Sequence, residues 1–143
     1  MAWGGDRVAV ADRSSSGAAR IFDVESGRVV AELREHTGEI RSVAFSPDAR
    51  WLVTASVDGT AWVWEAATGR PVLQLLGHRA PLVSAAFAAD GRHVLTASKD
   101  GTARMHDCAV CASLDELRRM VPDHISAGRR LTAAERRTYL HAD

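Results

Sequence analysis

Short runs of alternating apolar and polar residues, separated by turn residues, fill the first 107 positions of the chain. The clearest stretch begins at Glu39 and alternates through Phe45 to a turn at Ser46-Pro47-Asp48. Arg50 to Ala55 follows, then a tight Asp58-Gly59 turn, Thr60 to Glu65, a Thr68-Gly69 turn, and Pro71 to Leu76. Period-two alternation with Gly, Asp and Pro punctuation every ten or so residues predicts short antiparallel strands. Valine, threonine and tryptophan are frequent in them, as a pleated, half-buried surface favours. The same order recurs over Leu82 to Ala88, Arg92 to Ala97, Asp100-Gly101 and Thr102 to Asp107. An earlier, incomplete copy has Ala2-Trp3 at the end of its first strand, then Arg7 to Ala11 and Ala19 to Val24. There Ser16-Gly17 replaces Asp-Gly, and no histidine precedes the unit.

The spacing is fixed. His36 and His78 stand 42 residues apart, as do Asp58 and Asp100, and Asp48 and Asp90. Ile21-Phe22-Asp23, Val63-Trp64-Glu65 and Met105-His106-Asp107 keep the same offset. A repeat of this length, one four-stranded sheet per unit, is the signature of radial sheet arrays. Leu76-Gly77-His78, Thr54 to Thr60 and Trp62-Val63-Trp64-Glu65 carry a closer likeness: the chain resembles the WD40 repeat family over about residues 1–107. The resemblance implies a mainly β fold, a partial propeller of three blades at 1–34 (incomplete), 35–76 and 77–107. Rings of this kind hold four to eight blades. The expectation is therefore a C-terminal piece of a larger propeller, with ring completion by self-association as the rival reading.

In that family a His, a Ser or Thr, an Asp and a Trp form a hydrogen-bonded tetrad within the blade. Carried onto this chain, the resemblance gives His36, Ser56, Asp58 and Trp64 in blade two. Blade three offers His78, Ser98 and Asp100, with His106 where the tryptophan belongs. Blade one has Ser14 and Phe22 but neither the histidine nor the aspartate, so no tetrad forms there. A satisfied network of buried imidazole and carboxylate rigidifies a turn. Ser, His and Asp also suggest a catalytic triad, but recurrence at matched positions speaks for structure, since catalysis needs one site and not one per blade. No Gly-x-Ser-x-Gly elbow or phosphate-binding glycine loop occurs. The expectation is a non-catalytic scaffold for protein–protein interaction, without a cofactor. The family binds through the face made by the loop before the first strand and the turn after the second. Here that face carries Thr37, Glu39, Val57, Arg79, Pro81 and Lys99.

Charge adds little: 18 basic and 18 acidic side chains give a net charge of zero, with no general attraction for nucleic acid or anionic membrane. No apolar run approaches the ~20 residues of a membrane span, and the first residues lack the regions of a signal peptide. A cytoplasmic location is expected. The partner would be another protein or an upstream domain of the same one, with self-association through open blade edges as a further route.

After Asp107 the strand pattern stops, and 108–143 reads as a helical tail. Ser113-Leu114-Asp115-Glu116 and Thr132-Ala133-Ala134-Glu135 are capping boxes, with Pro122 as a stop after the first helix. Leu114, Leu117, Met120 and Val121 fall on one helical face, which predicts docking on the blades. The tail is similar to the ending of many bacterial multidomain WD40 proteins, in which a STAND-type NTPase often lies upstream. Cys108 and Cys111 form the one Cys-x-x-Cys. They are read first as packed thiols, and as weak candidates for half a zinc site (with His106 or His124) or a redox or disulfide pair. The alternative function is accordingly a metal- or redox-responsive regulatory module.

Overall fold

The computed structural model describes residues 1–108 and 111. The two capping boxes and the apolar face of the tail fall outside the described residues. Eleven strands form three antiparallel sheets. Blade one comprises β1 (Ala2–Gly4), β2 (Arg7–Ala11), β3 (Ala19–Asp23) and β4 (Val29–Leu33). Blade two comprises β5 (Ile40–Phe45), β6 (Trp51–Ser56), β7 (Ala61–Glu65) and β8 (Arg70–Leu75). Blade three has β9 (Leu82–Phe87), β10 (His93–Ser98) and β11 (Ala103–Asp107). Each sheet is a meander of neighbours in sequence, as hairpin turns of this length require. No helix among the described residues is long and apolar enough to cross a membrane.

The core lies between the sheets. Ala9, Ala19, Ile21, Ala31 and Leu33 of blade one pack against Ile40, Val43, Leu52, Trp64 and Ala66 of blade two. Val53, Ala55, Ala61, Val63 and Leu75 on the other side of blade two pack against Leu82, Ala85, Val94, Cys108 and Cys111. Blade two is therefore apolar on both faces, and its central strand β6 is buried from Leu52 to Ser56. Alternation along β6 sends Leu52 to one neighbour and Val53 to the other. The inner strands also touch directly, through the Ser42 hydroxyl donating to the Ala85 carbonyl at 3.3 Å. Leu95 and Met105, 42 residues beyond Val53 and Val63, are 42% and 64% exposed, so among the described residues nothing covers the far face of blade three as blade three covers that of blade two.

Blade one departs from the simple repeat. Ala9 pairs with Ala2 and Ile21, where Val53 pairs with Ala44 and Val63. Its second strand is thus offset by 44 residues, with a shorter first turn and a longer second loop. The longer loop holds Asp12, Ser14 and Ser16, which bond to one another in the open. The position matching Thr54 is consequently Val10.

The turn between the first two strands needs one residue in the left-handed region. Gly5 (φ 68°) and Gly91 (φ 68°) supply it in blades one and three, and Ala49 (φ 59°) in blade two. An L-residue there carries about 1–2 kcal/mol of strain, partly offset because glycine loses more entropy on folding. Ala49→Gly should therefore raise stability by about 0.5–1 kcal/mol, read as a higher urea midpoint. A lower midpoint would contradict the strain.

Candidate functional site

In blades two and three, the end that carries the predicted interaction residues is organised by a half-buried carboxylate. In blade two the Asp58 carboxylate accepts from His36 Nδ1 (3.0 Å), the Thr37 amide (3.1 Å), the Thr60 amide (2.8 Å) and the Thr60 hydroxyl (2.6 Å). His36 Nε2 then meets Thr54 Oγ1 at 2.6 Å, and Trp64 Nε1 donates to the same oxygen at 2.9 Å. A carboxylate only accepts and an indole N–H only donates, so the protons are ordered. Trp64 gives to Thr54, Thr54 gives to His36 Nε2, and His36 Nδ1–H gives to Asp58. The arrangement suits a neutral imidazole.

The hydroxyl in this chain of bonds is Thr54, not Ser56. Both lie on the same face of β6, two residues apart. Only Thr54, one step deeper, reaches the indole of Trp64, which sits opposite Leu52. Ser56 instead donates to the Gly38 carbonyl (2.9 Å) and accepts from the Asp58 amide (3.2 Å), tying the turn to the preceding loop. The same correction applies to Ser98, which donates to the carbonyls of Ala80 and Pro81 at 3.0 and 3.2 Å.

Blade three repeats the network with one change of chemistry. Asp100 accepts from His78 Nδ1 at 3.1 Å and from the Arg79 amide at 3.1 Å, and His78 Nε2 meets Thr96 Oγ1 at 2.7 Å. His106 occupies the tryptophan position and places Nε2 3.0 Å from Thr96 Oγ1. Tryptophan contributes one N–H there, and an imidazole protonated at Nε2 supplies the same donor. Blade one, with Val10 and Phe22 at the matching places, has no such network.

Burial sets the protonation. It presses the His36 imidazole below the ordinary histidine value, and the bond to Asp58 only partly opposes this. Burial works against the Asp58 charge too, but Thr60, His36 and the Thr37 amide outweigh it and hold the carboxyl below its usual range. The Thr102 hydroxyl does the same for Asp100, with further help from the Arg79 amide. In every case the native state resists protonation more than the unfolded chain does. Stability is therefore complete above about pH 6.5 and falls as pH drops, first across the histidine range and then across the carboxylate range. The urea midpoint should be lower at about pH 5 than at pH 7.5, and lower again near pH 3.5. An equal midpoint at pH 7.5 and 5 would contradict a neutral His36.

The geometry of Thr54, His36 and Asp58 is that of a hydroxyl–imidazole–carboxylate triad, yet it offers no nucleophile. Thr54 has no exposed surface and its oxygen already accepts from Trp64. The network instead fixes two loops. The Val57 amide donates to the Glu39 carbonyl (2.9 Å) and the Lys99 amide to the Pro81 carbonyl (3.0 Å), so the loop before each blade and the turn within it form one surface. Thr37, Arg79 and Lys99 are exposed on it, and Glu39, Val57 and Pro81 are half-buried. The Glu39 carboxylate lies 3.4 Å from Arg41 and 4.0 Å from Arg13 of blade one. These exposed ion pairs contribute little to stability, but they orient charges across the boundary between blades.

Cys108 and Cys111 are joined as a disulfide and buried against blade two. This corrects the readings of the pair as packed free thiols or zinc ligands, since the sulfurs are bonded to each other. Blade one closes the turn after its third strand with Ser26 donating to Asp23 (2.8 Å), and blade two with Thr68 donating to Glu65 (2.8 Å). Cys108 and Cys111 stand 42 residues beyond Ala66 and Gly69, one residue past the positions that match these pairs. Among the described residues no group of three or more His, Cys, Asp or Glu side chains is placed to hold a metal ion.

Comparison with known proteins agrees with this architecture. The family model "WD domain, G-beta repeat" matches residues 27–65 and 69–107. WD repeat-containing protein 36 of Homo sapiens is 45% identical over 38 residues, 27% of this chain and 4% of that protein. The chain thus spans a small part of the length of this relative.

Proposed function

Because this chain belongs to the WD40 repeat family, we propose that it is a non-catalytic interaction scaffold that binds a protein through the loops at Thr37, Glu39, Val57, Arg79, Pro81 and Lys99. WD40 repeats generally serve as protein-interaction scaffolds. The observation that carries the specific reading is the pair of networks centred on Asp58 and Asp100. Each uses a half-buried carboxylate to hold a surface loop, through the Thr37 amide in one case and the Arg79 amide in the other. Loops held rigid before binding lose less entropy when a partner docks. The reading places the protein in the cytoplasm, as the C-terminal part of a larger bacterial regulatory protein. The likeness of residues 107–140 to the endings of such proteins supports this. The partner is another protein or an upstream domain of the same one, and the apolar side chains exposed among the described residues, Leu95 and Met105, favour contact with further blades.

The test is recovery of bound protein by the full chain. Arg79→Glu combined with Lys99→Glu should lose a partner that the wild type captures. Arg50→Glu, at the opposite end of blade two, should retain it. Equal recovery by all three forms would reject this surface.

A further inference from the structure

The backbone scaffold beneath the interaction loops is the same in blades two and three, but the side chains it presents are not. Thr37 and Arg79 hold matching places, and each donates its amide to a carboxylate at 3.1 Å. Val57 and Lys99 also match, and each donates its amide to a carbonyl of the preceding loop, at 2.9 and 3.0 Å. Backbone N–H groups make these bonds, so any residue except proline meets the demand of the fold at all four positions. Blade two fills its two places with neutral side chains, and blade three fills both with cations. Folding does not call for that change.

The two cations are held together and left unneutralised. The Arg79 amide bonds to Asp100, the residue after Lys99, and the Lys99 amide bonds to Pro81, two residues after Arg79. Both side chains are exposed, and among the described residues neither has a carboxylate within ion-pairing distance. The Asp100 carboxylate beside them is occupied by His78, the Arg79 and Thr102 amides and the Thr102 hydroxyl. Glu39, the remaining charge of the proposed surface, already faces Arg41 and Arg13. The loop that carries Arg79 abuts the turn of blade two, where a Cβ on Gly59 would lie 3.6 Å from the Ala80 carbonyl oxygen. Resting on the reading of this face as the binding surface, we propose that the part of the partner that meets blade three is an acidic peptide segment, whose carboxylates pair with Arg79 and Lys99. Opposite charges across an interface set which partner is chosen and how fast it arrives.

The probe is a fluorescein-labelled hexaglutamate peptide, titrated with the full chain and read by anisotropy. Arg79→Ala combined with Lys99→Ala should weaken its binding about tenfold. Arg28→Ala combined with Arg70→Ala removes two exposed charges from the other end of the blades. At about 0.1 M salt, where charges more than about 10 Å apart are screened, that pair should leave binding within about twofold of wild type. Arg79→Lys with Lys99→Arg keeps both charges and should bind as the wild type does. Native tryptophan emission checks that the blades stay folded in each variant. Lys99 is the only lysine of the chain, so its acylation by an N-hydroxysuccinimide ester reports on the site itself and should slow when peptide is bound. Equal weakening by the two alanine pairs would overturn the proposal, as would Lys99 acylation unchanged by saturating peptide. A wild type that does not bind hexaglutamate would overturn it as well. If such a wild type still captured a protein that the Arg79→Ala, Lys99→Ala form lost, the binding surface would stand and only its acidic occupant would fall.

Discussion

Thr54→Val should lower the free energy of unfolding by about 2–4 kcal/mol, although it removes no volume and leaves no cavity. The substitution deletes the one atom shared by two buried partners. The Trp64 indole N–H loses its acceptor and His36 Nε2 loses its donor, in a place where Thr54 has no exposed surface and Trp64 only 1%. Each buried polar group left unpaired costs about 1–3 kcal/mol. Ser14→Ala, at the serine that a uniform repeat would align with Ser56, should change stability by less than about 0.5 kcal/mol, because its bonds are exposed. Urea unfolding followed by tryptophan emission separates the two. Similar midpoints would mean that Thr54 is not the node of the network.

The second large effect is expected at Gly17, where a side chain would enter the contact between blades. Gly17 has φ 65°, and a Cβ there would meet the His36 carbonyl oxygen and lie 2.9 Å from the Gly38 carbonyl oxygen. Both are backbone atoms and cannot swing away. Gly27 has nearly the same φ, 68°, but a Cβ there meets nothing within 4 Å. Gly27→Ala should therefore lose only the conformational preference, about 1 kcal/mol. Gly17→Ala adds overpacking, typically 1–3 kcal/mol, for a total of about 2–4 kcal/mol. The difference between the two melts isolates the fit between the loop of blade one and the start of blade two. Equal losses would mean that the loop moves aside freely.

The periodic features of this fold could be read from the chain because they depend on alternation and turn residues. Strand ends in blades two and three differ by at most one residue from the alternation limits, as for Trp51–Ser56 against Arg50 to Ala55. Two features were hidden for definite reasons. Thr54 and Ser56 recur equally at 42 residues, as Thr96 and Ser98, and occupy the same face of their strands. Periodicity therefore could not choose between the hydroxyls, and only the reach of the Trp64 indole does. The offset of 44 in blade one came from a two-residue trade between consecutive loops, which leaves every later strand in phase and so leaves no trace in the spacing. The disulfide was open for a similar reason. The Cys-x-x-Cys spacing alone fits a metal site, a redox pair or a disulfide, and only the sulfur–sulfur bond in the structure chooses between them.

The central claim is that the Asp58 and Asp100 carboxylates hold the loops through which the protein binds, and amide hydrogen exchange at Thr37 and Arg79 tests it most directly. Both residues are exposed, yet both amides donate to a carboxylate at 3.1 Å. In the wild type both should exchange at least about tenfold more slowly than an unbonded loop amide. Asp58→Ala should release Thr37 and leave Arg79 protected, because Arg79 depends on Asp100. Exchange of Thr37 at the free-loop rate in the wild type, or unchanged exchange in Asp58→Ala, would contradict the account.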